Sequence, residues 1–220
     1  MSLKLVIFDF DGTIIDTETA WFKAFSDLYQ NYNCKLNIKD WLKCVGTDEK
    51  HFNPYDELNK LLDKKIDNDI MKSYVNQRFE YYFNKLELRE GILELLKFLQ
   101  NSRIKIAIAS SSSINWVGKI LDERNLTNFF SYVATSEDVT NVKPSPELYN
   151  NVLEHYRCLP SECLVIEDSL NGALASLSTN IRTFVILNEV TKHSSFPNNL
   201  SKFNSIKDID FSSIIDLYYK

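Results

Sequence analysis

Short apolar, β-branched runs recur along the chain at Leu3–Phe10, Ile104–Ala109, Cys163–Ile166 and Thr183–Leu187, with a weaker one at Tyr132–Thr135. Such runs are the pattern of strands buried in a parallel sheet. Between them, helical spacing is found in Gly91–Gln100, Ile114–Arg124, Ser145–Arg157 and Leu170–Ser178. Ser145-Pro146 offers a capping hydroxyl followed by a proline in the first helical position. Strand and helix alternate, which predicts an α/β fold with a doubly wound parallel sheet.

Residues 17–88 break that rule. No strand pattern occurs there; Trp21, Phe25, Leu28 and Tyr32 fall at helical spacing, as do Tyr74, Arg78, Tyr81 and Tyr82. Gly46, Asn53 and Pro54 interrupt the segment, so an all-helical insert of more than one helix is expected after the first strand. The chain then divides into a core of residues 1–16 and 89–220 and a helical domain of residues 17–88. Trp21 reads either as part of the insert's own core or as a cover over a site near the hinge. The tail from Lys192 to Lys220 is polar, then amphipathic, and is expected to pack loosely.

Charge and composition narrow the partners. The 220 residues are 44% hydrophobic and 25% charged, with a net charge of −5, ordinary for a globular protein and without the basic footprint of nucleic-acid binding. An acidic protein acting on an anion needs local compensation from a metal or a lysine. Cys34, Cys44, Cys158 and Cys163 and the scattered His51, His155 and His193 show no zinc spacing, and reduced thiols in a cytoplasmic protein are the expectation. The run Leu5–Phe8 is too short for a signal segment, and no stretch approaches the ~20 apolar residues of a membrane span. A monomer or weak dimer is expected.

The strongest chemical signal is Asp9-Phe10-Asp11-Gly12-Thr13, directly after the first strand. Open parallel sheets bind ligands beyond the carboxyl ends of their strands, and Gly12 permits a turn that lets both carboxylates face one site. A solvated strand-end turn is the plain alternative. Other strands also end in polar residues: Ser110-Ser111-Ser112-Ser113 after one and Glu167-Asp168-Ser169 after another, with Val142-Lys143-Pro144 between them. Singly, these read as a flexible serine loop, a solvated lysine and a helix cap. Together they bring hydroxyls, an ammonium and paired acids to one edge of the sheet.

In this order the four segments resemble the motifs of the haloacid dehalogenase-like hydrolase superfamily over essentially the whole chain. The insert, Lys143-Pro144-Ser145-Pro146-Glu147 and Glu167-Asp168-Ser169-Leu170-Asn171-Gly172 are similar to its β-phosphoglucomutase-like subfamily, which carries an α-helical cap. The resemblance implies a Rossmann-like core and a Mg2+-dependent phosphatase acting on a small phosphorylated metabolite such as a sugar phosphate. By the same resemblance, Asp9 is the nucleophile that forms an aspartyl-phosphate and Asp11 the general acid and base. Ser110 and Ser111 bind the phosphoryl group, and Lys143 neutralises charge beside Asp9. Asp9, the main-chain carbonyl of Asp11 and Asp168 hold Mg2+, with Glu167 behind them or bound through water. Thr13 is a turn residue with a possible contact to phosphate. Asp11 also sets the chain apart from dehalogenases of this superfamily, whose leaving halide needs no proton.

Sugar phosphomutases of this kind carry a histidine early in the cap and an arginine after the cap glycine. Here Trp21 stands at the first position, and Thr47, Asp48 and Glu49 follow Gly46. Acids there would repel a second phosphate. Hydrolysis is therefore preferred to mutase activity. Lys50 and His51 read as a solvated loop or as contacts to substrate. A non-catalytic binding module that kept its site is the third reading, separated from the others by a test for Mg2+-dependent phosphate release.

Overall fold

The computed structural model describes residues 2–47 and 52–218, the side chains of Asp216 and Leu217 apart. Six parallel strands form one sheet: β1 (Leu5–Phe8), β2 (Lys105–Ala109), β3 (Tyr132–Ala134), β4 (Cys163–Glu167), β5 (Arg182–Ile186) and β6 (Ser201–Phe203), in the order β3-β2-β1-β4-β5-β6. Alternate side chains feed the two faces. Val6, Phe8, Ile106, Ile108, Leu164 and Ile166 point to one apolar layer, Leu5, Ile7, Ala107 and Val165 to the other. This is why the strands read as unbroken apolar runs.

Helices cover both layers. After the insert come α5 (Ile92–Asn101), α6 (Ile114–Glu123), α7 (Glu147–Tyr156), α8 (Leu170–Leu177) and α9 (Phe211–Tyr218), the four of the insert being α1 (Thr17–Asn31), α2 (Ile38–Trp41), α3 (Pro54–Leu61) and α4 (Asn68–Phe83). Helices α5, α6 and α9 pack on the Val6–Phe8 face; α7 and α8 pack on the other. β1 lies between β2 and β4, so the chain order reverses direction across the sheet at that pair. The register Phe8↔Ile166 brings Asp9 and Glu167, the next residue of each, to the same carboxyl edge, the usual place for a ligand site in an open α/β sheet.

Two expectations are corrected here. The helix expected from Ser145 starts at Glu147, with the Ser145 hydroxyl accepting from the Glu147 amide at 3.4 Å. The Glu147 carboxylate turns back to accept from the Thr140 and Asn141 amides and the Asn141 side chain, pinning the loop that carries Lys143. These donors, the Asn141 side chain first, hold the carboxyl down at about 2. The tail does not pack loosely. It supplies β6 against β5, and Phe211, Ile214 and Tyr218 of α9 are buried in the core; the polar face of the tail masked how much apolar surface it covers.

The regular elements of the insert's described residues are all helices joined by loops, and α1 packs lengthwise on α4. Trp21 of α1 stacks on Phe79 of α4, ring centroids 3.7 Å apart. Its two connections to the sheet run side by side: Ile15 pairs with Leu88 in an antiparallel bridge, and the Arg89 amide donates to Ile14 O at 2.9 Å. The Arg89 guanidinium then donates to the carbonyls of Gly12 (2.6 Å), Ile186 (2.9 Å) and Leu187 (2.6 Å). One side chain thereby ties the hinge to the turn after β1 and to the end of β5. Among the described residues no helix is long and apolar enough to cross a membrane.

Candidate active site

Asp9, Lys143, Glu167 and Asp168 are all buried at the carboxyl edge of β1 and β4. Lys143 Nζ donates to Asp9 Oδ1 at 2.5 Å and to Glu167 Oε1 at 2.6 Å. Glu167 is saturated: Tyr149 adds a hydroxyl donor to Oε1 at 2.8 Å, and Oε2 accepts from the Asp168 and Ser169 amides and the Ser169 hydroxyl. Asp168 Oδ2 accepts from Asn188 Nδ2 at 2.7 Å. Two carboxylate oxygens, Asp9 Oδ2 and Asp168 Oδ1, are buried with no hydrogen-bond partner.

An orphaned buried carboxylate oxygen is costly, so the arrangement calls for a cation. Ligand oxygens of Asp9, Glu167 and Asp168 lie within 4.8 Å of one another. Three carboxylates against one ammonium leave two negative charges uncompensated, the charge of one divalent ion. Oxygen donors suit a hard cation such as Mg2+. Without it, burial foremost and then Glu167 push the Asp9 carboxyl up to about 7, against the lowering effect of Lys143. Burial likewise raises Asp168 well above the carboxylate range, with Asp9 adding to it.

Gly12 is required at this floor. Its φ is +87°, and a Cβ there would stand 2.1 Å from Asp168 Oδ2. The turn it makes carries Asp11 over the same cavity, of about 520 Å3, that Asp9, Ser110 and Ser111 line. Asp11 is gripped by three donors: Thr17 Oγ1 at 2.7 Å and Trp116 Nε1 at 2.9 Å on Oδ1, and Ser112 Oγ at 2.6 Å on Oδ2. Trp116, Thr17, Ser112, Tyr149, Asn188 and Arg89 had no signal in the sequence beyond a serine run and helical spacing, because each acts across more than one element. Ser110 Oγ accepts from the Ser112 amide at 3.1 Å, and Thr13 is buried with its hydroxyl unpartnered.

The insert sits over the cavity and is latched to it. Ser111 Oγ donates to Gly46 O at 3.0 Å, Asn171 Nδ2 donates to Val45 O at 2.8 Å, and Thr47 Oγ1 donates to Lys143 O. The Gly46 amide donates to Glu18 Oε1 at 3.2 Å. Gly46 has φ +73°, and a Cβ would fall 2.2 Å from Ser169 Oγ. Gly46→Ala is therefore expected to hold the insert away from the core and lower kcat/KM by roughly 10²-fold. A steady-state assay beside a melting curve tests this; unaltered kcat/KM would show that the latch is dispensable. Asp48, Glu49, Lys50 and His51, which bear on the choice between mutase and phosphatase, lie outside the described residues.

Acids, a buried lysine and hydroxyls thus gather at the switch point of a doubly wound sheet, under a helical insert, where such folds bind their ligands. The chain belongs to the haloacid dehalogenase-like hydrolases, whose family model matches residues 6–186. It is 30% identical over 214 residues to the Bacillus subtilis protein named "Putative phosphatase YhcW", covering 97% of each chain. It is 31% identical over 181 residues to the Thermotoga maritima "Phosphorylated carbohydrates phosphatase", covering 81% of this chain and 82% of the other. A crystal structure named "putative beta-phosphoglucomutase", also from Thermotoga maritima, superposes with a TM-score of 0.71 at 25% identity, covering 98% of both. The protein is thus a phosphatase of this family, in its β-phosphoglucomutase-like branch.

Proposed function

We propose that the protein is a Mg2+-dependent phosphomonoesterase that hydrolyses a small phosphorylated metabolite, sugar phosphates included, through an aspartyl-phosphate on Asp9. The observation that supports this most is the pair of orphaned oxygens, Asp9 Oδ2 and Asp168 Oδ1, in a buried cluster two charges short of balance. Those two groups, with the main-chain carbonyl of Asp11, would hold Mg2+, and Glu167, whose oxygens are already saturated, would stand behind them. Bound there, the ion supplies charge neutralisation for a phosphate dianion beside carboxylates.

The chain's own residues then do the following. The Asp9 carboxylate attacks phosphorus, and the bond to the ester oxygen breaks as Asp11 gives that oxygen its proton. Ser110 and the backbone amide near Ser111 donate to the phosphoryl oxygens, while Lys143 offsets charge on Asp9. Water next attacks the aspartyl-phosphate, Asp11 takes its proton, and the Asp9 carboxylate is released with inorganic phosphate. The latched insert excludes bulk water meanwhile.

Incubation with β-glucose 1-phosphate and a catalytic amount of the 1,6-bisphosphate tests the reading. Inorganic phosphate should appear faster than glucose 6-phosphate; the reverse order would make the protein a mutase. Asp11→Asn should slow an alkyl phosphate more than p-nitrophenyl phosphate, whose leaving group needs little protonation, and equal losses would remove Asp11 as the acid.

Metal dependence carries its own expectation. EDTA should abolish turnover. With no cation bound, burial and Glu167 push the Asp9 carboxyl up to about 7 and burial raises Asp168 too, so a cation must displace protons and its affinity falls as the pH drops. Calorimetric Mg2+ titration should give roughly tenfold tighter binding at pH 8 than at pH 6, with proton release at the lower pH. A flat profile would contradict Asp9 as a ligand.

A further inference from the structure

Beyond the phosphoryl end, the cavity has a composition that ester hydrolysis does not require. Trp21, Phe25, Trp41, Tyr55 and Trp116 all line it. The rings are linked: Trp21 lies parallel on Phe79 at 3.7 Å, Phe79 is 5.8 Å from Trp116, and Trp116 Nε1 is 2.9 Å from Asp11. Aromatic side chains therefore line the cavity both beside Asp11, at Trp116, and on the insert, at Trp21, Phe25, Trp41 and Tyr55, with the buried Phe79 packed between Trp21 and Trp116. The part of the substrate just beyond the leaving oxygen meets Trp116, and the part after it meets the rings of the insert.

The polar groups around these rings are mostly committed. Ser111, Ser112, Thr47 and Glu18 are all hydrogen-bonded within the protein. A chain of hydroxyls entering here would exchange water for aromatic carbon with few partners in return. What remains is a small set of donors. Trp41 is buried against the cavity with its indole N–H unpartnered. The side chains of Lys72 and Asn76, within α4, also line the cavity and make no hydrogen bond to another described residue. The free donors sit at the insert end, where a ligand's far edge would lie.

We propose that the outer cavity is a stacking site for a flat ring, so that the preferred substrate is the phosphomonoester of an alcohol bearing an aromatic or heteroaromatic ring with an acceptor or anionic group on its far edge. This rests on the phosphatase reading for the phosphate end and ranks ring-bearing alcohols above polyols and sugar phosphates. A cavity of about 520 Å3 suits such a molecule, small-ligand sites spanning roughly 300–1,000 Å3.

The test uses phosphonates, which present the charge of a monoester but are not cleaved. Binding of benzylphosphonate and ethylphosphonate to the wild-type protein is measured by calorimetry in Mg2+. Benzylphosphonate should bind at least about tenfold tighter, the scale of one ring stacked and desolvated. Adding a 4-carboxylate should tighten it further, and Lys72→Met should remove that increment. Trp21→Ala should bring the benzyl-to-ethyl ratio towards one; a ratio that survives this change would overturn the stacking assignment. Should Trp21→Ala fail to fold, the wild-type ratio decides by itself, and equal affinities for the two phosphonates would overturn the proposal. Acetyl phosphate turnover reports separately on the phosphatase reading. Turnover without ring preference defeats the ring site alone, whereas ring preference without turnover leaves that site standing and defeats the enzyme assignment.

Discussion

Asp9→Asn is expected to eliminate phosphate release, by at least ~10³-fold, with no fall in melting temperature. The amide keeps the size of the carboxyl but cannot attack phosphorus. Stability should hold because the neutral amide replaces a carboxyl whose charged form burial and Glu167 already disfavour. Lys143 Nζ keeps its 2.6 Å contact with Glu167 Oε1 and can still donate to the amide oxygen. Retention of a tenth of the wild-type rate would rule out the covalent route, and a large drop in melting temperature would mean that the carboxylate is chiefly structural.

Lys143→Met should be damaging in both respects. The ammonium is the cation that touches Asp9 and Glu167, at 2.5 and 2.6 Å, and all three groups are buried. Removing one partner of a buried ion pair costs about 3–5 kcal/mol, because the charge left behind is neither paired nor solvated. The pH dependence has a definite sign. Asp9 already sits above its unfolded value, at about 7, and loses its main lowering influence in the variant. A group raised in the folded state binds protons that the unfolded chain releases, so its contribution to stability is present at acid pH and lost as the pH rises. The melting temperature of metal-free Lys143→Met should thus fall further below wild type at pH 8 than at pH 5, and phosphate release should be lost. An unchanged melting temperature at pH 8 would refute the charge balance drawn above.

Much of this was legible in the residues alone, and unevenly so. The central strands announce themselves because both faces of β1 and β4 are buried, which forces apolar residues at every position of β1 and at every position of β4 before Glu167. β6 reads Ser201-Lys202-Phe203 at the sheet edge, has no such constraint, and was hidden in a polar tail. The floor of the candidate site was visible because its members follow strand ends. Its supports were not: Trp116 reaches Asp11 from the first turn of α6, Asn188 reaches Asp168 from beyond β5, and Tyr149 reaches Glu167 from within α7. Those contacts depend on how helices pack across the sheet, which no local spacing records. Trp21, readable either as insert core or as a cover, stacks on Phe79 as the core reading expects and also lines the cavity.

The pairing of Ile15 with Leu88 carries a consequence for descent. An insertion whose entry and exit stand opposite each other in one antiparallel bridge, about 5 Å apart, can be shortened, lengthened or exchanged without moving either end of the sheet. Arg89 secures that junction from the sheet side, onto Gly12, Ile186 and Leu187, so the fastening belongs to the core and not to the insert. Substrate choice and bond-breaking chemistry are then separable inheritances within one gene: the insert can drift towards new alcohols while the acids and the lysine stay where the strands put them.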